Sequence, residues 1–154
     1  MYKRVLIPLD GSAVAETVLP LIVQIAGPLD FDAVLLRVIP ALPKAASAVT
    51  GAEADVARID AEEYLAPIAV ELRNKGVRVQ TRVRRGAPAE EIVATAREEG
   101  ADLVAMTTHG RSGLRRAAFG SVADAVLRDA AMPVFLIRAT AADVTKRQSR
   151  PVTT

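Results

Sequence analysis

With 154 residues, 51% of them hydrophobic and none of them cysteine, the chain can bury one sizeable core but hardly two, and disulfides, thiolate metal sites and cysteine nucleophiles are excluded. Its formal charge is only +2, and the last sixteen residues, with Lys146, Arg147 and Arg150 against Asp143, carry the whole excess. Residues 1–138 are therefore neutral overall, and with aromatic residues at 3% of the chain a stacking platform for single-stranded nucleic acid has little to be built from.

The apolar runs argue against a membrane partner as well. The stretch 18–25 is broken by Pro20 and Gln24 and falls well short of the roughly 20 residues that cross a bilayer. Tyr2-Lys3-Arg4-Val5 enters a strand almost at once, leaving no room for a signal peptide. Together with the missing cysteines, this points to a cytoplasmic location.

Five apolar, β-branched segments alternate with four helical ones. Arg4-Val5-Leu6-Ile7-Pro8-Leu9 reads as a first strand, its continuous apolar run suited to burial on both faces. Ser12 is expected to cap a helix with Val14, Val18, Leu21, Ile22 and Ile25 at helical spacing, kinked at Pro20 and stopped by Gly27-Pro28. A second strand over 33–39 closes at Pro40, and 40–51 lacks any period and reads as a mobile loop. Val56, Ile59, Leu65, Ile68 and Leu72 mark one face of a helix that ends at Gly76 and contains Pro67.

In the third strand Val77, Val79, Thr81 and Val83 alternate with Arg78, Gln80, Arg82 and Arg84. One polar face places that strand at or near a sheet edge. After Gly86-Ala87-Pro88 comes a helix through Ile92, Val93 and Ala96, stopped by Gly100. A strand over 102–107, a glycine-bounded loop, a helix over 121–131 and a last strand, Val134-Phe135-Leu136-Ile137, follow in order. Residues 139–154 turn polar and aperiodic and are expected to form a disordered basic tail behind a single domain, 1–138.

Strand alternating with helix implies right-handed crossovers and a doubly wound parallel α/β sheet, five-stranded and Rossmann-like or flavodoxin-like, with 3-2-1-4-5 as the expected order. Such sheets bind ligands at the carboxyl ends of the strands, where the strand order reverses, here between the first and fourth strands. The two loops that would meet there are the most distinctive in the chain: Asp10-Gly11-Ser12, and the stretch joining Met106-Thr107-Thr108-His109-Gly110 to Gly120-Ser121-Val122. Free backbone N–H groups at Gly120 and Ser121 would face an anion, with the Ser121 hydroxyl and Arg111, Arg115 and Arg116 adding donors and charge. The plainer alternative is that Gly110 and Gly113 shape a loop and Ser121 caps a helix.

These motifs resemble the universal stress protein family. Val5-Leu6-Ile7-Pro8-Leu9-Asp10-Gly11-Ser12, the strand end Leu36-Arg37-Val38-Ile39, the turn Gly86-Ala87-Pro88 and the loop from Met106 to Ser121 occur in the family's order, and the resemblance covers 2–138. It implies a homodimeric α/β domain, in which many members bind ATP and others lack the nucleotide loop. The binding branch carries Gly, two residues, Gly, nine residues, then Gly-Ser or Gly-Thr. Gly110, the nine residues 111–119 and Gly120-Ser121 match, whereas Thr107 stands at the first glycine. A Cβ there restricts approach of the backbone to phosphate, although the threonine hydroxyl can donate.

Carried over by position, the resemblance implies that Asp10 accepts bonds from ribose hydroxyls, that Pro8, Leu9 and Val38 line an adenine pocket, and that Ala87 offers backbone contacts to the base. Met106 and Thr107 lead into the loop, and Gly110, Gly120, Ser121 and Val122 hold phosphates, with Arg111 beside them. The plain readings are capping for Asp10 and core packing for the apolar residues.

No catalytic residue is assigned. His109 is the single histidine, and no third group is identified that would orient it as a general base. Neither a Gly-x-Ser-x-Gly elbow nor a Gly-x4-Gly-Lys-Ser/Thr loop is present. Three readings stay open: an ATP-binding regulatory module acting on an unidentified protein partner, a nucleotide-independent scaffold favoured by Thr107, and a slow ATP hydrolase. Magnesium, where it takes part, arrives with the triphosphate. The apolar strand 134–137 would be a liable edge unless a twofold mate covers it, which matches the homodimer that the resemblance implies.

Overall fold

In this computed structural model the described residues are 2–41, 51–109 and 120–149. Five parallel strands form one sheet: β1 (Arg4–Pro8), β2 (Asp32–Ile39), β3 (Arg78–Arg85), β4 (Leu103–His109) and β5 (Val134–Ala139). Their order is β3-β2-β1-β4-β5, the order expected for the doubly wound sheet. The helices are α1 (Leu19–Leu29), α2 (Gly51–Asn74), α3 (Pro88–Glu98), α4 (Ser121–Asp129) and α5 (Ala141–Gln148).

Because successive strand residues point to opposite faces, the central strands feed two separate cores. Val5, Ile7 and Leu9 pack with Leu19 and Ile22 of α1 and Leu65 and Leu72 of α2. Leu6, Val34 and Leu36 pack on the other face with Ile92 and Ala96 of α3 and Ala123 and Val126 of α4.

The pairing of β1 differs on its two sides. Against β2 it runs in register from Arg4 with Asp32 to Pro8 with Leu36. Against β4 it covers only Val5 with Leu103 and Leu6 with Val104. The Asp102 carboxylate clamps the amino end of this seam, accepting from the N–H groups of Lys3 at 2.8 Å and Arg4 at 3.2 Å. Beyond Leu6 the two strands part, so the crevice at the switch point opens at their carboxyl ends.

Several boundaries differ from the sequence expectation. Pro20 does not kink α1. The chain enters through a 3-10 turn, Ala15–Val18, and α1 begins at Leu19, so Pro20 falls in the first helical turn, where a missing N–H costs nothing. Gly27-Pro28 does not stop the helix either. It closes at Asp30, in the left-handed conformation at φ +47°, whose N–H bonds the Ala26 carbonyl at 2.8 Å.

In α2 the buried stripe is Ala61, Leu65, Ile68, Ala69 and Leu72, while Val56 and Ile59 are exposed. The helix therefore begins before it reaches the sheet. Of the predicted loop, residues 42–50 lie outside the described residues. The third strand is an edge, as its alternation predicts, and its arginines are paired: Arg78 with Asp30 and Asp32, Arg82 with Glu99, and Arg84 with Glu98.

The largest correction concerns 139–149 of the stretch 139–154 expected as a disordered tail; residues 150–154 lie outside the described residues. Ala139 closes β5 and α5 follows after one residue. The Thr140 hydroxyl accepts from the Asp143 N–H at 3.2 Å while the Asp143 carboxylate accepts from the Thr140 N–H at 3.0 Å. This reciprocal cap satisfies two backbone donors at the helix start. The Arg147 side chain, 11% exposed, then inserts between Glu16 and Glu71.

Candidate functional site

Asp10 and Ser12 build the turn at the end of β1. The Asp10 Oδ1 accepts from the Ser12 N–H at 2.9 Å and from its hydroxyl at 2.6 Å. Ser12 Oγ accepts in turn from the Ala15 N–H at 3.1 Å, so the serine caps the 3-10 turn. The capping role of Asp10 is thus real and uses one oxygen. Its Oδ2 takes no partner among the described residues and faces an exposed position. Gly11 sits at φ +89°, and a Cβ there would lie 3.5 Å from the Arg37 guanidinium. That is an ordinary contact, so it is the backbone angle that favours glycine.

Across the crevice, α4 begins at Gly120, with φ +100° and no side-chain cap. Its first ladder bond runs from the Asp124 N–H to the Gly120 carbonyl at 2.9 Å. The N–H groups of the first turn therefore point out of the helix, where the helix dipole favours an anion. A Cβ on Gly120 would meet nothing within 4 Å. The glycine is required by its backbone angle, not by crowding from the described residues. Ser121 is exposed, and its hydroxyl carries no bond to a described residue.

The fold brings Val38, Met106 and Val122 into one apolar cluster on the α3–α4 face. Ala87 is exposed at the start of α3, and Pro8 ends β1 half-buried. Leu9 goes elsewhere: its side chain belongs to the α1–α2 core, so only its backbone borders the crevice. Gly110 and Arg111, with Gly113, Arg115 and Arg116, lie outside the described residues.

Thr107 is a strand residue, because β4 runs on to His109. Its hydroxyl lies 3.3 Å from the Ala15 carbonyl, to which it donates, and 3.3 Å from the Thr17 hydroxyl. It ties β4 to the 3-10 turn, where the family pattern has glycine.

Sequence reasoning missed the polar group behind the Asp10 turn. The Tyr64 hydroxyl donates to Glu16 Oε1 at 3.0 Å, and the Arg37 guanidinium stands 5.8 Å from the Tyr64 ring centroid. Burial, then the Glu16 carboxylate, pushes the Tyr64 hydroxyl above its ordinary range, so it stays protonated and donates. No local pattern announces this group, since Glu16, Arg37 and Tyr64 come from three separate elements. The Thr140-x-x-Asp143 spacing, in contrast, is a readable helix-start signal.

Chemically, the crevice offers a carboxylate oxygen for hydroxyl groups, an apolar patch, and an open helix N-terminus for an anion. Among the described residues no group of three or more acidic or histidine side chains could hold a metal ion, and no helix is long and apolar enough to cross a membrane.

Comparison with known proteins agrees with the fold. The chain is 30% identical over 141 residues to universal stress protein MJ0531 of Methanocaldococcus jannaschii, covering 90% of this chain and 83% of that protein. The solved structure of protein MJ0577, from the same organism, superposes with a TM-score of 0.75 at 29% identity, covering 91% of this chain and 98% of that one. A universal stress protein from Archaeoglobus fulgidus in complex with dAMP has a TM-score of 0.64 at 21% identity, covering 89% and 98%. One solved in complex with cAMP gives 0.59 at 22%, covering 90% and 98%. The model of the universal stress protein family matches residues 1–138, and the chain belongs to that family.

Proposed function

We propose that the crevice between β1 and β4 binds an adenine nucleotide, ATP foremost, and that the protein is a cytoplasmic stress-response module acting through a homodimer on a protein partner. One pair of observations supports the reading: among the described residues Asp10, just beyond β1, keeps one carboxylate oxygen without a partner, and α4 begins at Gly120 with no side-chain cap. A nucleotide needs these two kinds of group, an acceptor for ribose hydroxyls and donors for phosphate. Relatives solved with dAMP and with cAMP support the same ligand class.

In this reading Asp10 Oδ2 accepts from the ribose. Pro8, Val38 and Met106 face the adenine, with backbone from Leu9 and Ala87. Gly120, Ser121 and Val122 hold the phosphates, joined by Gly110 and Arg111 from the loop. Magnesium would be carried by the triphosphate, since no acidic cluster among the described residues competes for it. Thr107 favours a second reading, a scaffold that takes no nucleotide, because its hydroxyl is engaged by Ala15 and leaves the phosphates one donor short.

Calorimetric titration of nucleotide-free protein with ATP, with and without magnesium and with GTP as control, decides between them. Selective ATP binding near one site per chain is expected; no detectable binding would overturn the nucleotide reading in favour of the scaffold.

The homodimer rests on β5. It lies at the sheet edge and leaves Phe135 45% exposed, an unpaired apolar strand that a twofold copy would cover. Sedimentation at micromolar concentration should give twice the 16.3 kDa chain mass; a monomer would refute this arrangement.

A further inference from the structure

Helix α5 reaches the far side of the Asp10 turn through one side chain. Arg147 Nε donates to Glu16 Oε2 at 2.6 Å and its Nη1 donates to Glu71 Oε2 at 2.9 Å. The Tyr64 hydroxyl takes the other Glu16 oxygen, so that carboxylate is held on both sides. Glu16 lies in the 3-10 turn Ala15–Val18. The same turn meets the crevice at its front: the Glu16 N–H bonds the Ser12 carbonyl at 3.3 Å, Ala15 is capped by Ser12 Oγ, and the Ala15 carbonyl accepts from Thr107.

We propose that Arg147 is a positioning residue for the candidate ligand site, with α5 serving as a brace that holds the 3-10 turn, and through Ser12 the Asp10 carboxylate, in place. The link to nucleotide rests on the function proposed above; the brace itself does not.

Four physical points support the brace. A single 3-10 turn has poor hydrogen-bond geometry and little stability of its own, so its side-chain anchors decide where it sits. Burial works against the charge on Arg147, but bonds from Glu16 and Glu71 outweigh it and hold its pKa above the ordinary value. Removing the arginine would leave Glu16 and Glu71 half-buried without this counter-charge, the costly way to break such a group. The guanidinium fork also serves two carboxylates on two different elements at once. The single ammonium of lysine is a compact point charge and does not reproduce that span.

The test is amide exchange by mass spectrometry on the full chain, nucleotide-free, for wild type, Arg147→Ala, Arg147→Lys and Tyr64→Phe, with an ATP titration of each. In Arg147→Ala, exchange over 12–18 should quicken about tenfold while β1 and β2 stay protected, with Arg147→Lys intermediate. ATP affinity should fall by about tenfold in parallel. Tyr64→Phe, which removes the second anchor of Glu16, should loosen the same segment and provides an independent route to the result. Unchanged exchange over 12–18, or a uniform loosening of the whole domain, would overturn the brace. A loosened turn with unchanged affinity would overturn its positioning role. If wild type takes no ATP, the nucleotide reading falls alone, and the exchange data still decide whether α5 braces the turn.

Discussion

Replacing Gly120 by valine should weaken ATP binding at the proposed site by about a hundredfold. The cause is backbone geometry, because Gly120 sits at φ +100°, and a Cβ there meets no described residue within 4 Å. A β-branched residue at that angle carries strain of about 1–3 kcal/mol, which the chain relieves by turning the peptide that starts α4. The N–H groups of Ser121 and Val122 then lose their aim, and each bond to a charged phosphate is worth about 1.5–3 kcal/mol. Asp10→Ala should lose affinity from the other end of the crevice. It also removes the acceptor of two Ser12 bonds, so Asp10→Asn is the sharper companion: its carbonyl still serves Ser12 while the charge facing the ribose is gone. Calorimetry on the variants checks both ends, and unchanged affinity in Gly120→Val and Asp10→Ala together would refute the site.

The largest stability effect should come from Leu6→Ala. Leu6 is 0% exposed, sits in the central strand, and packs on the face shared by α3 and α4. Truncating such a leucine removes its transfer energy and leaves a cavity that a sheet bonded on both sides cannot collapse, for a loss of about 2–5 kcal/mol. At this domain size that lowers Tm by roughly 5–15 °C. Denaturant melts of wild type and variant check this; a loss below about 1 kcal/mol would mean that the central strand is less tightly held than its burial implies.

This pair of effects also shows how the site depends on the core. Leu6 packs in the same cluster as Val38, Met106 and Val122, so the apolar wall of the crevice is the upper end of the α3–α4 core. Leu9, one residue beyond β1, points into the opposite core. A one-residue step in a pleated strand moves a side chain across the whole sheet, which is why the motif Pro8-Leu9-Asp10 cannot present all three side chains to one ligand.

The sequence by itself determined the alternation of strand and helix, the edge position of β3 and the family, because these rest on signals local to the chain: pleat and helix periods, glycine stops and ordered motifs. It also placed the α4 start correctly, whereas Ser12, expected to cap the first helix, caps the 3-10 turn before it. Only the tertiary structure decided the rest. Pro20 reads as a kink until the 3-10 turn moves the helix start to Leu19. Val56 and Ile59 read as core until the sheet proves to begin further along α2. Thr107 reads as the end of its strand, with a hydroxyl that can donate to phosphate, until β4 extends to His109 and Ala15 takes that hydroxyl. The tail reads as disordered because α5 presents no buried residue of its own; its order comes from a local cap and from Arg147 meeting Glu16 and Glu71 across 131 and 76 positions of chain. Contacts between residues so far apart depend on how the layers close, and no window of sequence contains them.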